Sequence, residues 1–283
     1  MHISESPPMQ DANSSPPLDH SSDPNFLAFY LSKGVSPASV EHFSRIRDKA
    51  LALLRRQMPD RKSYKMLDVG CNAGAQARLW AELGHEVTGL DINEPLLDAA
   101  RARALAEGLN INFTLGTATQ LPFEDASMDV CILLELLEHV QDWEACLKEA
   151  VRVVKPGGLL YLSTTNVLCP KQQEFNLPIY SWYPGPLKRH FEKLSVTTRP
   201  ELVNYARYPA LHWFTFYGLR DYLARFNMRS MDRFDLIDTQ GVGAIGRTAL
   251  WAVRHIAPLR FAGHVMTDGT ALMAIKCADG GKA

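Results

Sequence analysis

The chain has 283 residues, 46% of them hydrophobic and 22% charged, with a formal net charge of -1. That length buries a core without staples, and nothing global in the charge marks a nucleic-acid binder or a membrane-surface protein. Five cysteines, Cys71, Cys131, Cys146, Cys169 and Cys277, form no CxxC pair, so they read as reduced thiols of a cytoplasmic protein, not as a disulfide frame or a zinc site.

Residues 1–24 are rich in Ser, Pro and Asp and have neither the basic nor the apolar region of a secretory signal, which predicts a disordered tail. No run reaches the roughly 18 apolar residues of a membrane span. Order is expected from Asn25, with Phe26 to Leu31 starting a packed helix. Ser36-Pro37 reads as a helix start. Val40, Phe43, Ile46, Ala50, Leu51 and Leu54 then recur at helical spacing, predicting a helix over 40–57. Strands are predicted at 65–69, 86–90, 111–115, 128–134 and 159–164, separated by helices at 75–83, 94–107 and 143–153. Such alternation implies βαβ units and a parallel sheet with helices on both faces.

From Asn166 to Phe214 the alternation stops, and prolines and aromatics accumulate: Tyr180, Trp182, Tyr183, Pro184, Pro186, Tyr205, Tyr208, Pro209 and Trp213. A loop-rich stretch of this length inside a compact domain is usually functional or disordered, and its aromatics argue for function. We read it as a substrate cap inserted in a single domain over 25–283. A helix at 217–226, a strand at 229–237, a helix at 245–256 and a last strand at 272–276 complete the expected order.

Leu67-Asp68-Val69-Gly70-Cys71-Asn72-Ala73-Gly74 sits where the first strand hands over to a helix. Glycines there let the backbone approach a ligand, and the helix start beyond offers free N–H groups; a tight turn needing only small residues would look the same. Asp91 ends the next strand, where open α/β sheets bind ligands and an acid accepts ribose hydroxyls. Asp68 discriminates between ligands. Its carboxylate would repel a pyrophosphate and welcome an ammonium, so a phosphate-free nucleoside carrying an amino acid fits and NAD does not.

These pieces, with VTGLDIN, LGTATQLPFEDASMDV, LLELLEHVQD and VVKPGGLLYLSTTN, resemble the class I S-adenosylmethionine (SAM)-dependent methyltransferases. The resemblance runs from Met66 to Leu162, within the group that includes ubiquinone-type O-methyltransferases. It implies a Rossmann-like α/β fold: a seven-stranded sheet whose last strand is antiparallel. It also implies that Asp68, Gly70, Cys71 and Gly74 line the methionine and ribose part of SAM. Asp91 would hold the ribose hydroxyls, Ile92 would pack on the adenine, and Ala118 would present its N–H to that ring. Glu135 would sit near the methionine moiety or the reaction centre. Thr117 stands where the family often has an acid contacting the adenine amino group; its hydroxyl is a weaker acceptor.

Methyl transfer to a hydroxyl calls for a base. His139, with Glu135 beside the cofactor, is the candidate, although Leu-Glu-His-Val is also a common helix start in this superfamily. A second reading makes Glu135, Glu138 and His139 ligands of a divalent metal that lowers the acceptor's pKa, with Glu138 as a solvated helix residue the plainer alternative. In the cap, Tyr180, Trp182, Tyr183 and Trp213 are candidates for an apolar acceptor pocket. Arg189 and His190, in a basic cluster with Lys188, Lys193 and Arg199, would meet an anionic or carrier-linked end; both sets are equally the core and the solvated face of the cap. The expected activity is O-methylation of a phenol, sugar hydroxyl or carboxylate by a monomer or homodimer. N-methylation, RNA 2′-O-methylation and SAM binding without transfer are the alternatives. RNA binding usually needs an extended basic surface, which a net charge of -1 does not suggest.

Overall fold

A computed structural model describes residues 24–33, 36–203 and 210–278. The expected tail, apart from Pro24, and the cap residues Tyr205, Tyr208 and Pro209 lie outside them. Two helices, α1 (Pro24–Lys33) and α2 (Pro37–Gln57), precede the sheet. Then follow β1 (Lys65–Val69), α3 (Ala75–Ala81), β2 (Glu86–Asp91), α4 (Glu94–Ala106), β3 (Ile111–Leu115), β4 (Met128–Leu134), α5 (Trp143–Val153) and β5 (Val154–Thr165). The cap contributes α6 (Gly185–Thr197) between two short 3₁₀ turns. The chain ends with α7 (Phe216–Ala224), β6 (Met228–Asp232), α8 (Ala244–His255), α9 (Ala257–Val265) and β7 (Gly269–Lys276).

Helix starts follow their capping residues. Ser36 accepts from the Ser39 N–H at 3.2 Å, Asn93 from Leu96 at 3.1 Å, Asp142 from Ala145 and Thr215 from Gly218, each at 2.9 Å. The strands form one sheet in the order β3-β2-β1-β4-β5-β7-β6. Strands β1 to β5 pair in parallel, and β7 runs antiparallel to both β5 and β6. This is the expected seven-stranded Rossmann-like sheet.

Alternation along the central strands divides the core into two layers. Cys131 and Leu133 of β4, Leu160 and Leu162 of β5, and Leu272 and Ala274 of β7 pack with α5 and α7. Their neighbours Val130, Ile132, Leu159, Tyr161, Met273 and Ile275 pack with α2, α3 and α4 on the other face. Such doubly covered strands read as unbroken apolar runs.

Three elements differ from the sequence reading. The strand expected over 229–237 stops at Asp232, whose carboxylate accepts from the Phe234 and Asp235 N–H groups at 2.8 and 3.1 Å and turns the chain. Helices α6 and α9 were not expected. Pro186 and Pro258 stand in their first turns, where proline has no intrahelical donor to lose.

At the opposite end of the sheet from the glycine turn, Asp129 is fully buried. It accepts from Arg61 Nη1 at 2.7 and 2.8 Å, the Lys65 N–H at 2.8 Å and Lys155 Nζ at 2.8 Å. Removing this charge strands two cations and weakens three donors. Asp129→Asn is expected to cost about 2 kcal/mol of stability, read as a lower urea midpoint at unchanged slope.

Candidate active site

A cavity of about 650 Å³ opens at the carboxyl ends of β1, β4 and β5. It lies where the order reverses between β1 and β4, the topological switch point. One end is built by the β1–α3 turn. Gly70 has φ +73° and Asn72 φ +50°; a Cβ on Gly70 would stand 3.0 Å from Leu136. The turn is therefore closed against the β4–α5 loop in a backbone conformation that favours glycine and tolerates asparagine. Asp91 braces it from below. Its two carboxylate oxygens accept from the N–H groups of Asn72 and Asn93, at 2.8 and 2.9 Å.

Asp68, Gly70 and Cys71 line the cavity together with Gln76 of α3. Asp68 is 2% exposed, and burial, reinforced by the nearby charge of Asp91, raises its carboxyl to about 7. Its Oδ2, and both polar atoms of the Gln76 amide, are buried without a hydrogen-bond partner among the described residues. Such groups are costly unless a ligand satisfies them. A carboxylate without a cation and an amide with both ends open fit a group that is itself an ammonium and a carboxylate. The residues present thus fit the amino-acid end of SAM, and Gln76 is a member of the site that the sequence reading missed.

The expected set is only partly gathered. Gly74, at φ +74°, does not line the cavity; a Cβ there would meet the Phe113 ring at 2.9 Å. Its positive φ and the close approach of Phe113 by themselves exclude a larger residue there. Asp91, Ile92, Thr117 and Ala118 also lie outside this cavity. They stand at the adjoining ends of β2 and β3, tied by the Gly116 N–H to the Asp91 carbonyl at 3.0 Å. Ile92 is 50% exposed there, Ala118 is buried, and the Thr117 hydroxyl is engaged with Thr119 at 2.9 Å.

The loop after β4, which packs on the turn through Leu136, brings Glu135, Glu138 and His139 to the cavity wall. Glu135 has φ +45°, a conformation costly for a side chain of this size; its N–H donates to the Ser163 carbonyl at 3.0 Å. Glu138 is not the solvated helix residue that its sequence position allowed. It is fully buried, its Oε2 accepts from the Thr164 hydroxyl at 2.8 Å, and its Oε1 has no partner among the described residues. Burial first, and the charge of Glu135 second, push its carboxyl well above the usual range. Among the described residues no three His, Cys, Asp or Glu side chains converge as a metal site. The three therefore share a wall without forming the metal triad of the second reading.

Of the six cap residues expected to contact an acceptor, only Trp213 lines the cavity, and its indole N–H is buried without a partner among the described residues. Tyr180 is fully buried in the cap's own cluster, stacked on Phe175 at 3.9 Å between centroids, with Tyr183 packed against it. Trp182 is 55% exposed, and its indole donates to the Leu168 carbonyl at 3.2 Å. Arg189 and His190 are exposed on α6, away from the cavity. The cap instead presents Gln172, Gln173 and Glu174, and the rest of the wall comes from Tyr30, His42 and Phe43 of α1 and α2 and from Arg233 and Asp268 near β6 and β7. No local motif marks these residues; they meet only because the chain's beginning and end fold over the same strand ends.

Residues 67–162 match the family model described as a methyltransferase domain. A ubiquinone biosynthesis O-methyltransferase of Idiomarina loihiensis is 42% identical over 103 residues, covering 36% of this chain and 42% of the relative. A malonyl-[acyl-carrier protein] O-methyltransferase of Serratia marcescens is 39% identical over 100 residues, covering 35% and 38%. A ubiquinone biosynthesis O-methyltransferase of Caulobacter vibrioides is 35% identical over 125 residues, covering 43% and 50%. The chain thus spans half or less of each of these relatives. The YcgJ protein of Bacillus subtilis, 17% identical, superposes with a TM-score of 0.50 over 82% of this chain and 99% of that one, a likeness of fold.

Proposed function

We propose, from the premise that residues 67–162 form a class I methyltransferase domain, that the protein transfers the methyl group of SAM to the hydroxyl of a neutral small molecule such as a phenol or a sugar. One observation carries this reading: a single cavity is lined both by the unpaired Asp68 and Gln76 groups and by His139. Its volume of about 650 Å³ is of the size used for small-molecule and cofactor sites.

Bound SAM supplies an activated sulfonium methyl, so the protein's part is orientation and exclusion of water. Asp68 accepts from the cofactor's ammonium and Gln76 donates to its carboxylate. Asp91 keeps spare acceptor capacity for the ribose hydroxyls. His139 takes the proton of the acceptor hydroxyl as the oxygen attacks. Trp213 offers its free N–H to a polar group of the acceptor, while Tyr30, Phe43 and the Gln172–Glu174 segment keep water out.

The lining argues for the acceptor class. Among the described residues, besides the buried acids Asp68 and Glu138, it carries Glu135, Glu174 and Asp268 against the single guanidinium of Arg233. Carboxylate, phosphate or carrier-linked acceptors would meet repulsion. The same lining suits an amine, which makes N-methylation the second reading. The test is transfer from radiolabelled SAM, with and without EDTA, to separate panels of phenols and sugars, amines, and carboxylates. Label confined to the first panel supports the reading, label in amines favours the second, and label confined to carboxylates or macromolecules overturns both.

A further inference from the structure

The near-zero net charge conceals a polar asymmetry at the end of the chain. Between Asp238 and Asp268 there is no Asp or Glu, but there are three arginines and two histidines. This stretch forms the α8–α9 pair, and it contributes little to the core: α8 buries none of its side chains, and α9 buries only His264. It instead holds out large apolar groups. Ile245 is 89% exposed, Met266 83%, Trp251 57%, Phe261 47%, Leu259 45% and Ile256 42%.

The cations are disposed around them. Arg260 is neutralised by Asp232 and Asp235. Arg247 and Arg254 donate only to main-chain carbonyls, so their charges stay uncompensated. His255 is exposed and stacks on Trp251 with centroids 5.0 Å apart. Exposed aromatic and aliphatic groups among arginines, with no acid, are the composition of helices that lie in a lipid interface. With 12 and 9 residues the two helices are too short to cross a bilayer.

We propose that the α8–α9 pair docks the protein on the surface of an anionic lipid bilayer. Charge selects this occupant over a second copy of the chain, because a self-complementary contact here would set arginine against arginine. Ile245 and Met266 stand out as protrusions, not as walls of a groove, and a fluid interface accepts protrusions without a matching pocket. Asp268 and Gly269, which line the cavity, follow α9 directly, so docking brings the cavity rim to the lipid surface.

The test is flotation of the full chain with vesicles of phosphatidylcholine alone and of phosphatidylcholine with phosphatidylglycerol. Binding is expected to be about tenfold or more tighter to the anionic vesicles, from two uncompensated arginines, and to weaken with salt. The double variant Ile245→Glu/Met266→Glu should lower that binding by about tenfold or more while leaving the melting temperature unchanged, since both side chains are already in water. No flotation of the wild-type chain, or equal flotation of wild type and double variant, overturns the proposal. So does a concentration-dependent dimer that the double variant abolishes without any vesicle binding.

Discussion

Asp68→Asn is expected to abolish measurable binding of S-adenosylhomocysteine while making the ligand-free protein more stable. The two effects have one cause. The Asp68 carboxylate is buried without a cation and near Asp91, and its carboxyl is raised from 3.8 to about 7. Since the folded-state pKa exceeds the unfolded one, the ligand-free fold holds a proton that the unfolded chain releases. Stability therefore falls as pH rises from about 4 through about 7, and the ionised group is a liability above that window. Asparagine removes the liability, a gain on the order of 2 kcal/mol at pH 8. It also removes the acceptor for the ligand's ammonium, which should weaken binding by about a hundredfold or more. Calorimetric titration and thermal unfolding at pH 8 check both halves. A variant that loses stability and keeps its affinity would show that Asp68 is a structural residue.

The wild-type protein provides the companion measurement. An ammonium ligand favours ionised Asp68, so affinity should rise with pH and level off above about 7, losing about tenfold for each unit below it. In Asp68→Asn that slope should vanish. A flat profile in the wild-type protein would mean that Asp68 does not titrate against the ligand.

His139→Ala is expected to lower kcat by about 10² to 10⁴, the usual worth of a positioned base. Glu138, which directly precedes it, is fully buried and bonded to Thr164, and burial and the charge of Glu135 favour its neutral form. A carboxyl whose neutral form is favoured is less available to take a proton. Glu138→Gln, which copies the protonated form, should therefore leave kcat and its pH profile nearly unchanged, while Glu138→Ala opens a cavity and lowers the melting temperature. If Glu138→Gln removes activity as completely as His139→Ala, the assignment of roles is reversed.

Much of the sheet was legible because the central strands β4 and β5 carry apolar runs, and the helix capped by Ser36 announces its start. Local chemistry of this kind survives in one dimension. So did the strand ends that carry Asp68, Gly70 and Asp91, because the hand-over from strand to helix fixes their neighbourhood. What proline does depends on its place in a helix, and that place was not legible: Pro186 and Pro258 open α6 and α9, helices that were not expected. The acceptor side was misread for a deeper reason. Tyr180 and Tyr183 are large and apolar enough to build a core or a pocket, and sequence cannot say which; the fold used them to hold the cap together. Gln76, Trp213, Arg233 and Asp268 share a cavity only through contacts between distant parts of the chain. Sequence by itself determined the sheet and the glycine turn that follows Asp68, because those follow from periodicity and from groups adjacent along the chain. Tertiary structure alone decided that Gly74 is packed against Phe113, that Glu138 is a buried acid and that α8 and α9 face outward, because burial is a property of what lies on the other side of a residue.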